Sequence, residues 1–177
     1  MVIAAIVSYL IGSIPFAVLV SRFFKLGDIT KFGSGNPGAT NMVRLGGKKL
    51  GVLTFALDAA KGAVAVALFS SQIAFLAVIL GHCFSVFLKF KGGKGVATFL
   101  GALLIFNFYA AILCAAIWCV VFLLFRISAV SALSAINITA IVSGFLWPES
   151  FVGLAAAAIL ISYRHKQNIT DLLSRRS

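Results

Sequence analysis

The sequence predicts an all-α integral membrane protein with about seven transmembrane helices. Of the 177 residues, 62% are hydrophobic and only 11% are charged, which is about half the charged fraction of an ordinary soluble domain. The mean hydropathy is +1.11, and the apolar residues form runs long enough to cross a bilayer as helices. The length allows one polytopic membrane domain over residues 1–177 and no separate soluble module.

Seven apolar segments follow one another along the chain. The first contains Pro15, whose ring removes a helical hydrogen bond and therefore predicts a kink. The run Gly95–Phe125 is about half again too long for one crossing, so we expect a turn near Asn107. Pro148 and Glu149 are expected to form the last turn. The predicted spans are Val2–Ser21, Gly51–Ser70, Gln72–Leu88, Gly95 to near Asn107, from there to Phe125, Ile127–Leu146 and Phe151–Ser162.

The basic residues give the orientation. The net charge is +11, and every base except Lys61 lies in gaps on one side of this arrangement, which is expected to be cytoplasmic. The N-terminus is then outside and the C-terminus inside. The alternative is five spans with the two short segments re-entrant. Because the charge is confined to these gaps, it suits anionic lipid and anionic substrates, not nucleic acid. The basic gaps are Arg22–Lys49, Lys89–Lys94, Arg126 and Arg164–Arg176.

Two glycine-rich stretches interrupt the apolar runs. FGSGNPGATNMVR (Phe32–Arg44) combines three glycines with small polar side chains, and KFKGGKGVAT (Lys89–Thr98) combines three glycines with three lysines. Glycine lets main-chain N–H groups converge on one point, and such nests beside bases suit an oxyanion, phosphate above all. The second stretch alone is also compatible with an ordinary basic turn, but the side that it shares with the first stretch favours phosphate binding. The phosphate-binding candidates are Gly33, Gly35, Asn36, Thr40, Asn41, Arg44, Gly92, Gly93, Lys94 and Gly95.

A third cationic segment, YRHKQNI (Tyr163–Ile169), closes the last apolar run. Its His165 stands between two bases, which favour the neutral imidazole that a general base or hydrogen-bond donor needs. The alternative is an interfacial histidine on a basic tail. We expect the three cationic segments to meet at one membrane face and to hold phosphorylated substrates there.

Three other polar residues lie within predicted spans. Asp58 and Lys61 are spaced i, i+3, and we interpret them as a neutralised structural pair, with a functional pair as the alternative. His82 is interpreted as a packed, hydrogen-bonded residue. The chain has only two histidines and no cluster with metal-ligand spacing, so neither a metal nor another cofactor is expected.

Several familiar catalytic patterns are missing. The GGKG at Gly92–Gly95 lacks the spacing of a nucleotide-binding P-loop. Ser34 is not in the G-x-S-x-G elbow of serine hydrolases. Asp171 is one position too far from His165 for the H-x4-D pattern of many glycerolipid acyltransferases.

The three cationic segments together resemble the motifs of the bacterial acyl-phosphate-dependent glycerol-3-phosphate acyltransferases. The resemblance implies transfer of a fatty acyl group from acyl phosphate to the sn-1 hydroxyl of glycerol 3-phosphate, which yields lysophosphatidate. It also implies a site on the cytoplasmic face of the bacterial inner membrane, in contact with membrane lipid. The matching stretches cover most of the chain in order: GSIPFAVLVSR, SGNPGATNMVR, DAAKG, GHCFSVFLKFKGGKGVAT and RHKQNI.

The resemblance also assigns roles to residues. The first loop, from Ser34 to Arg44, and the second, with Lys94, are implied to hold phosphate. The expected catalytic residues are Ser34, His165 and Asn168, and further possible site residues are His82, Lys61, Ser128 and Ser131. Because the chain has only four acids, we expect direct attack of the hydroxyl on the acyl group, with the donor's own phosphate accepting the proton.

This chain departs from the family pattern in three places. Ser85 stands where proline is common, Asp171 occupies a usually basic position, and LLSRRS ends the sequence without the glycine and glutamate that often follow the third motif. Two other functions remain as alternatives. A small transporter of phosphorylated anions would need bases along a transmembrane path, and a structural subunit that binds anionic lipid would not need glycine nests.

Overall fold

The computed structural model describes residues 1–174, apart from the side chain of Leu173, and this part of the chain is helical without strands. The predicted all-α class is confirmed. The helices form two compact units, Met1–Phe106 with α1 to α5 and Asn107–Ser177 with α6 to α9. The α-helices of the described residues are α1 Val2–Ser13, α2 Phe16–Phe23, α3 Ala39–Phe69, α4 Gln72–Cys83, α5 Val96–Phe106, α6 Phe108–Phe125, α7 Ser128–Leu146, α8 Pro148–Arg164 and α9 Lys166–Ser174.

Four helical stretches in the described residues are long and apolar enough to cross a membrane: Val2–Phe23, Ala39–Phe69, Phe108–Phe125 and Ser128–Leu146. Two further apolar stretches, Gln72–Leu88 and Val96–Phe106, are shorter. The number of seven crossings and the direction of the termini therefore stay predictions. Arg175 and Arg176, which the orientation argument included, lie outside the described residues.

The first span is broken at Pro15, as predicted. Helix α1 ends at Ser13 and α2 begins at Phe16, so the carbonyl of Ile14 has no partner four residues ahead in a continuous helix. The ammonium group of Lys61 donates a hydrogen bond of 2.7 Å to this carbonyl. The N–H of Phe16 also donates to this carbonyl, at 3.2 Å. An unsatisfied backbone group in lipid costs several kcal/mol, so these two bonds stabilise the break within an apolar span.

Asn107 separates α5 from α6, which confirms the predicted turn. Its side chain caps α6 by accepting a hydrogen bond from the backbone N–H of Ala110 at 3.0 Å, and its amide donates to Ser150 Oγ at 3.1 Å. The prediction for Pro148 was wrong. Pro148 is the first residue of α8, and Trp147 alone separates α7 from α8, because proline is well tolerated where a helix begins.

The polar stretch before the second predicted span is partly helical. Helix α3 begins at Ala39 and runs to Phe69, whereas the span is predicted to start at Gly51. Gly47 leaves helical geometry inside it, with φ 83° and ψ 174°. This conformation is open to glycine and strained for other residues, so the glycine interrupts the helix without ending it. The second half of the first motif is therefore helical.

Glycines set the closest helix approaches within the first unit. Helix α1 meets α4 at Gly12 and Gly81, and α3 meets α5 at Gly62 and Gly101. A side chain at any of these four positions would collide with a backbone carbonyl of the facing helix. Small residues at crossings let two helix backbones approach closely, which is a common way of packing helices in membranes.

Within the second unit, α7 and α8 run antiparallel. One residue connects them, and Asn137 of α7 donates a hydrogen bond of 3.2 Å to Ser162 Oγ of α8. The start of α7 therefore lies at the same end as the end of α8. The described bases of this unit, Arg126, Arg164 and Lys166, all belong to that end.

We expect Gly12→Ala to lower the melting temperature in detergent by a few degrees, because the added methyl group forces α1 away from α4. Overpacking of this kind costs about 1–3 kcal/mol. Ile6→Val, which changes one methyl group on the exposed face of α1, is the matched control and should melt like the parent protein. Equal melting of Gly12→Ala and the parent would contradict the close crossing.

Candidate functional site

The first glycine-rich loop connects a short 3-10 turn, Ile29–Lys31, to the N-terminus of α3. Gly33 and Gly35 have φ values of 54° and 67°, which lie in the left-handed region where glycine has no steric cost. The N–H of Gly35 donates to the carbonyl of Phe32 at 2.9 Å and closes the turn. The two glycines are therefore required by the backbone of this loop.

Asn41 holds the loop in shape from the first turn of α3. Its side chain is buried, with 1% exposed, and its amide donates to the carbonyls of Ile29 at 3.2 Å and Phe32 at 2.9 Å. Its oxygen accepts from the N–H of Ser34 at 3.3 Å. These bonds occupy both amide hydrogens, so the observed contacts of Asn41 are structural, and its expected contact with phosphate stays a prediction.

The turn before the loop is fixed by Asp28. Its carboxylate accepts hydrogen bonds from the hydroxyl of Thr30 at 2.7 Å and from the N–H of Thr30 at 3.0 Å. The hydroxyl bond is the larger cause of a lowered pKa for Asp28. The stabilisation by this carboxylate is therefore complete at neutral pH and is lost only as the pH falls through the lowered pKa.

Three polar candidates of the first motif are exposed: Ser34, Thr40 and Arg44. Thr40 and Arg44 are four residues apart on α3 and share a face. The Arg44 side chain folds back toward the loop, because its Cδ lies 4.0 Å from the position of a Cβ on Gly33. The first turn of α3 carries no acidic residue, and the N–H groups at a helix N-terminus attract anions.

The second glycine-rich loop connects α4 to α5. Gly92 and Gly93 are buried, Lys94 is half-buried, and Gly95 adopts a left-handed φ of 87° just before α5. The N–H of Gly93 donates to the carbonyl of His82 at 3.0 Å. There is no room for side chains at Gly92 and Gly93, because a Cβ at either position would collide with His82.

The two loops touch each other. A Cβ on Gly93 would lie 3.1 Å from the carbonyl oxygen of Pro37. Both residues line one cavity of about 10 Å³, next to Ser85 and the broken first span, with room for about one water molecule. The structure thus brings the first two predicted segments together. Pro37 was not singled out from the sequence, although it stands in the middle of the SGNPG motif.

Buried polar side chains surround this cavity. Asp58 and Lys61 form an ion pair of 2.8 Å, in keeping with a structural pair. His82 Nδ1 lies 3.0 Å from Thr98 Oγ1 and 3.5 Å from Asp58 Oδ1. Thr98 was also missed from the sequence, because its position opposite His82 depends on how α4 and α5 pack.

The third segment lies in the second unit, where α8 ends and α9 begins. His165 is 3% exposed, and its Nδ1 lies 2.8 Å from the carbonyl oxygen of Ile161. Because a carbonyl only accepts, Nδ1 carries the hydrogen of this bond. Asn168 is half-buried in the first turn of α9. The expected meeting of this segment with the first two stays a prediction.

Ser128 and Ser131 lie at the start of α7, at the same end of the α7–α8 pair as His165. Ser131 is buried and donates to the carbonyl of Ile127 at 3.0 Å, whereas Ser128 is half-buried. As for metals, no three His, Cys, Asp or Glu side chains among residues 1–174 are grouped so that they could hold an ion.

We expect Asn41→Ala to open the first loop, because the N–H of Ser34 loses its bond to the Asn41 side chain and the carbonyls of Ile29 and Phe32 each lose one of the hydrogen bonds that they accept. Limited trypsin digestion in detergent should then cut after the exposed Lys31 several times faster than in the parent protein. Asn137→Ala, which removes another amide that donates two hydrogen bonds, is the matched control and should not change cleavage at Lys31. Equal cleavage rates in all three proteins would contradict a structural role of Asn41.

The chain is similar to known proteins over nearly its whole length. The model of the family described as glycerol-3-phosphate acyltransferase matches residues 2–175. The glycerol-3-phosphate acyltransferase of Jannaschia sp. is 46% identical, with 96% of this chain and 88% of the relative covered. That of Neisseria meningitidis serogroup B is also 46% identical, with 98% and 94% covered.

A solved structure has the same fold. The crystal structure of PlsY, an integral membrane glycerol 3-phosphate acyltransferase, in its glycerol 3-phosphate form superposes with a TM-score of 0.92 at 35% identity. It covers 99% of this chain and 93% of PlsY. The lysophosphatidic acid form of PlsY gives a TM-score of 0.89 with the same coverage. With these relatives and a family match over nearly the whole sequence, the chain belongs to the glycerol-3-phosphate acyltransferase family of integral membrane proteins.

Proposed function

We propose that this protein transfers a fatty acyl group from acyl phosphate to the sn-1 hydroxyl of glycerol 3-phosphate, giving lysophosphatidate and phosphate for phospholipid synthesis. The family supports the acceptor, and the two crystal forms of PlsY, with glycerol 3-phosphate and with lysophosphatidic acid, support the acceptor and the product. The donor is proposed from the resemblance of the motifs to acyl-phosphate-dependent enzymes, and from a site that suits two phosphate anions.

The observation that carries this proposal is the meeting of two glycine-rich loops at Pro37 and Gly93. Each loop leads into a helix N-terminus and has a base beside it, Arg44 on α3 and Lys94 before α5. Backbone N–H groups, a helix dipole and a base together suit a phosphate group. The proposed phosphate-binding residues are Gly33, Gly35, Asn36, Thr40, Asn41, Arg44, Gly92, Gly93, Lys94 and Gly95.

The proposed reaction is one direct step. The sn-1 hydroxyl oxygen of glycerol 3-phosphate bonds to the acyl carbonyl carbon, and the bond from that carbon to the phosphate oxygen breaks. The hydroxyl proton passes to the leaving phosphate, so the products are the ester and inorganic phosphate. Because acyl phosphate is already activated, the protein chiefly orients the two substrates and stabilises the developing charge.

The carboxylates of the chain support a route without a protein base. Asp58 is buried in its ion pair, Asp28 is bonded to Thr30, and Asp171 accepts a hydrogen bond of 2.8 Å from Gln167. The remaining acid, Glu149, lies in the first turn of α8, about 24 Å along the helix from His165. This distribution favours the donor's phosphate as the proton acceptor.

We assign the catalytic contacts to Ser34, His165 and Asn168, with Ser128 and Ser131 as further candidates. The exposed hydroxyl of Ser34 and the side chain of Asn168 can hydrogen-bond the reacting oxygens. The Nδ1–H tautomer of His165 directs a lone pair from Nε2, which can accept a hydrogen bond from the attacking hydroxyl. Lys61 and His82 are proposed to act on the shape of the site.

We further propose one polytopic domain in a bacterial inner membrane, with seven crossings, the N-terminus outside and the site at the cytoplasmic face. The common end of Arg126, Arg164 and Lys166 in the second unit supports this orientation. A transporter of phosphorylated anions is less well supported. Lys61, the one base within a predicted span, is occupied by Asp58 and the Ile14 carbonyl.

The deciding experiment supplies purified protein with acyl phosphate and glycerol 3-phosphate. We expect equal amounts of lysophosphatidate and released phosphate. Acyl coenzyme A and acyl carrier protein, offered as alternative donors, should give no product. Transport of phosphate compounds into proteoliposomes without any lysophosphatidate would reject the proposed function.

Arg44→Ala and Lys94→Ala should each raise KM for a phosphorylated substrate by about 10- to 100-fold, because a hydrogen bond to a charged group contributes about 1.5–3 kcal/mol. Lys48→Ala and Lys49→Ala remove exposed bases farther along α3 and serve as controls with parental kinetics. Parental KM values in Arg44→Ala and Lys94→Ala would exclude both residues from the site.

If the attack is direct, incubation of the protein with acyl phosphate alone should give no rapid burst of one phosphate per protein molecule. Mass spectrometry of the protein after such an incubation should show no added acyl group. An acylated Ser34 peptide, recovered from the parent and missing from Ser34→Ala, would replace the one-step reaction by a two-step one.

A further inference from the structure

His82 is the residue at which the second loop meets the polar centre of the first unit. It lies at the end of α4 with 8% of its surface exposed. One edge of its ring faces buried polar groups, and the other faces the glycines of the second loop. The sequence marks this histidine only as a possible site residue, and the comparisons give it no role.

The Nδ1 edge of the ring belongs to a buried polar network. Thr98 Oγ1 of α5 lies 3.0 Å from Nδ1, and Asp58 Oδ1 of α3 lies 3.5 Å from it. Asp58 pairs with Lys61 at 2.8 Å, and Lys61 donates to the carbonyl of Ile14 at 2.7 Å. The ring is thus set against side chains from two other helices and, through them, against the break in the first span.

The Nε2 edge of the ring faces the glycines of the second loop. A Cβ on Gly93 would collide with Nε2, and a Cβ on Gly92 would collide with the His82 carbonyl. Neither glycine has a left-handed φ, so the contact, and not the backbone, excludes side chains there. On its other side the same Gly93 position faces Pro37 of the first loop at 3.1 Å.

We propose that His82 is a positioning residue for acyl transfer: its ring is a spacer that sets Gly93, and with it Lys94, against the first loop. This inference rests on the proposed function. His82 acts through Gly93 and is not assigned a contact with substrate. Removing the ring lets the second loop sink toward Asp58, which moves Lys94 away from the phosphate it binds.

A purely structural histidine would behave differently. Loss of packing lowers the melting temperature and the amount of active protein, but the folded molecules keep their KM. Loss of positioning raises KM for a phosphorylated substrate in molecules that remain folded. Phe75→Ala is the matched control, because it also removes a fully buried ring from α4, two turns before His82.

The test is a double-mutant cycle of His82→Ala and Gly93→Ala with KM as the readout. We expect each single variant to raise KM for glycerol 3-phosphate or acyl phosphate by about tenfold. In the double variant, the alanine methyl at position 93 occupies space left by the ring, so KM should be no higher than in the single variants. Effects that multiply to about a hundredfold would overturn the proposal.

His82→Asn separates the two edges of the ring. Its amide can bond near Thr98 and Asp58, as Nδ1 does, but cannot reach Gly93. We expect it to melt closer to the parent than His82→Ala does, and to keep a raised KM. Recovery of a parental KM in His82→Asn, or an equal rise of KM in Phe75→Ala, would show that the ring contact with Gly93 is not the cause.

Trypsin digestion of the second loop keeps this inference separate from the proposed function. If the parent makes no lysophosphatidate, the proposed function fails, but cleavage after Lys91 and Lys94 still reports the position of the loop. His82→Ala should be cut there several times faster than the parent and Phe75→Ala, and Gly93→Ala in the His82→Ala background should slow this cleavage. Equal cleavage rates would overturn the role of His82.

Discussion

The first unit depends on how the backbone hydrogen bonds lost at the Pro15 break are replaced. A span that stops and restarts leaves the Ile14 carbonyl without a partner four residues ahead, and the ammonium group of Lys61 and the N–H of Phe16 bond it instead. A buried ammonium needs a counter-charge, which Asp58 provides. Asp58 in turn lies beside His82, against which the second loop rests. The end of α1, the middle of α3, the end of α4 and the start of α5 are therefore tied together by one buried polar network.

Much of the fold follows from local chemistry that the sequence displays. Pro15 and Asn107 interrupt apolar runs, and both predicted breaks are present because a missing N–H and a side-chain cap act within a few residues. The start of α3 could not be read in this way. Thr40, Asn41 and Gly47 look like loop residues, but the bonds of Asn41 to the preceding turn stabilise the first helical turn, and Gly47 bends the helix without ending it.

The candidate site could be predicted as a set of residues but not as a geometry. Glycines and bases mark the two loops, and the motifs resemble one family over most of the chain, which the relatives confirm. That Gly93 meets Pro37 is a long-range contact, for which a single sequence gives no partners. Asn41 shows the same limit, because a polar side chain in a phosphate-binding motif can face inward and bond the loop itself.

The close glycine crossings have a consequence for the fatty tail. They draw α1 onto α4 and α3 onto α5, and the cavity at the polar centre of the first unit is left with space for little more than one water molecule. A hydrocarbon chain cannot enter it. This centre therefore cannot act as a molecular ruler for the fatty tail of the proposed donor, and selection among fatty acids of different lengths must be made elsewhere on the protein.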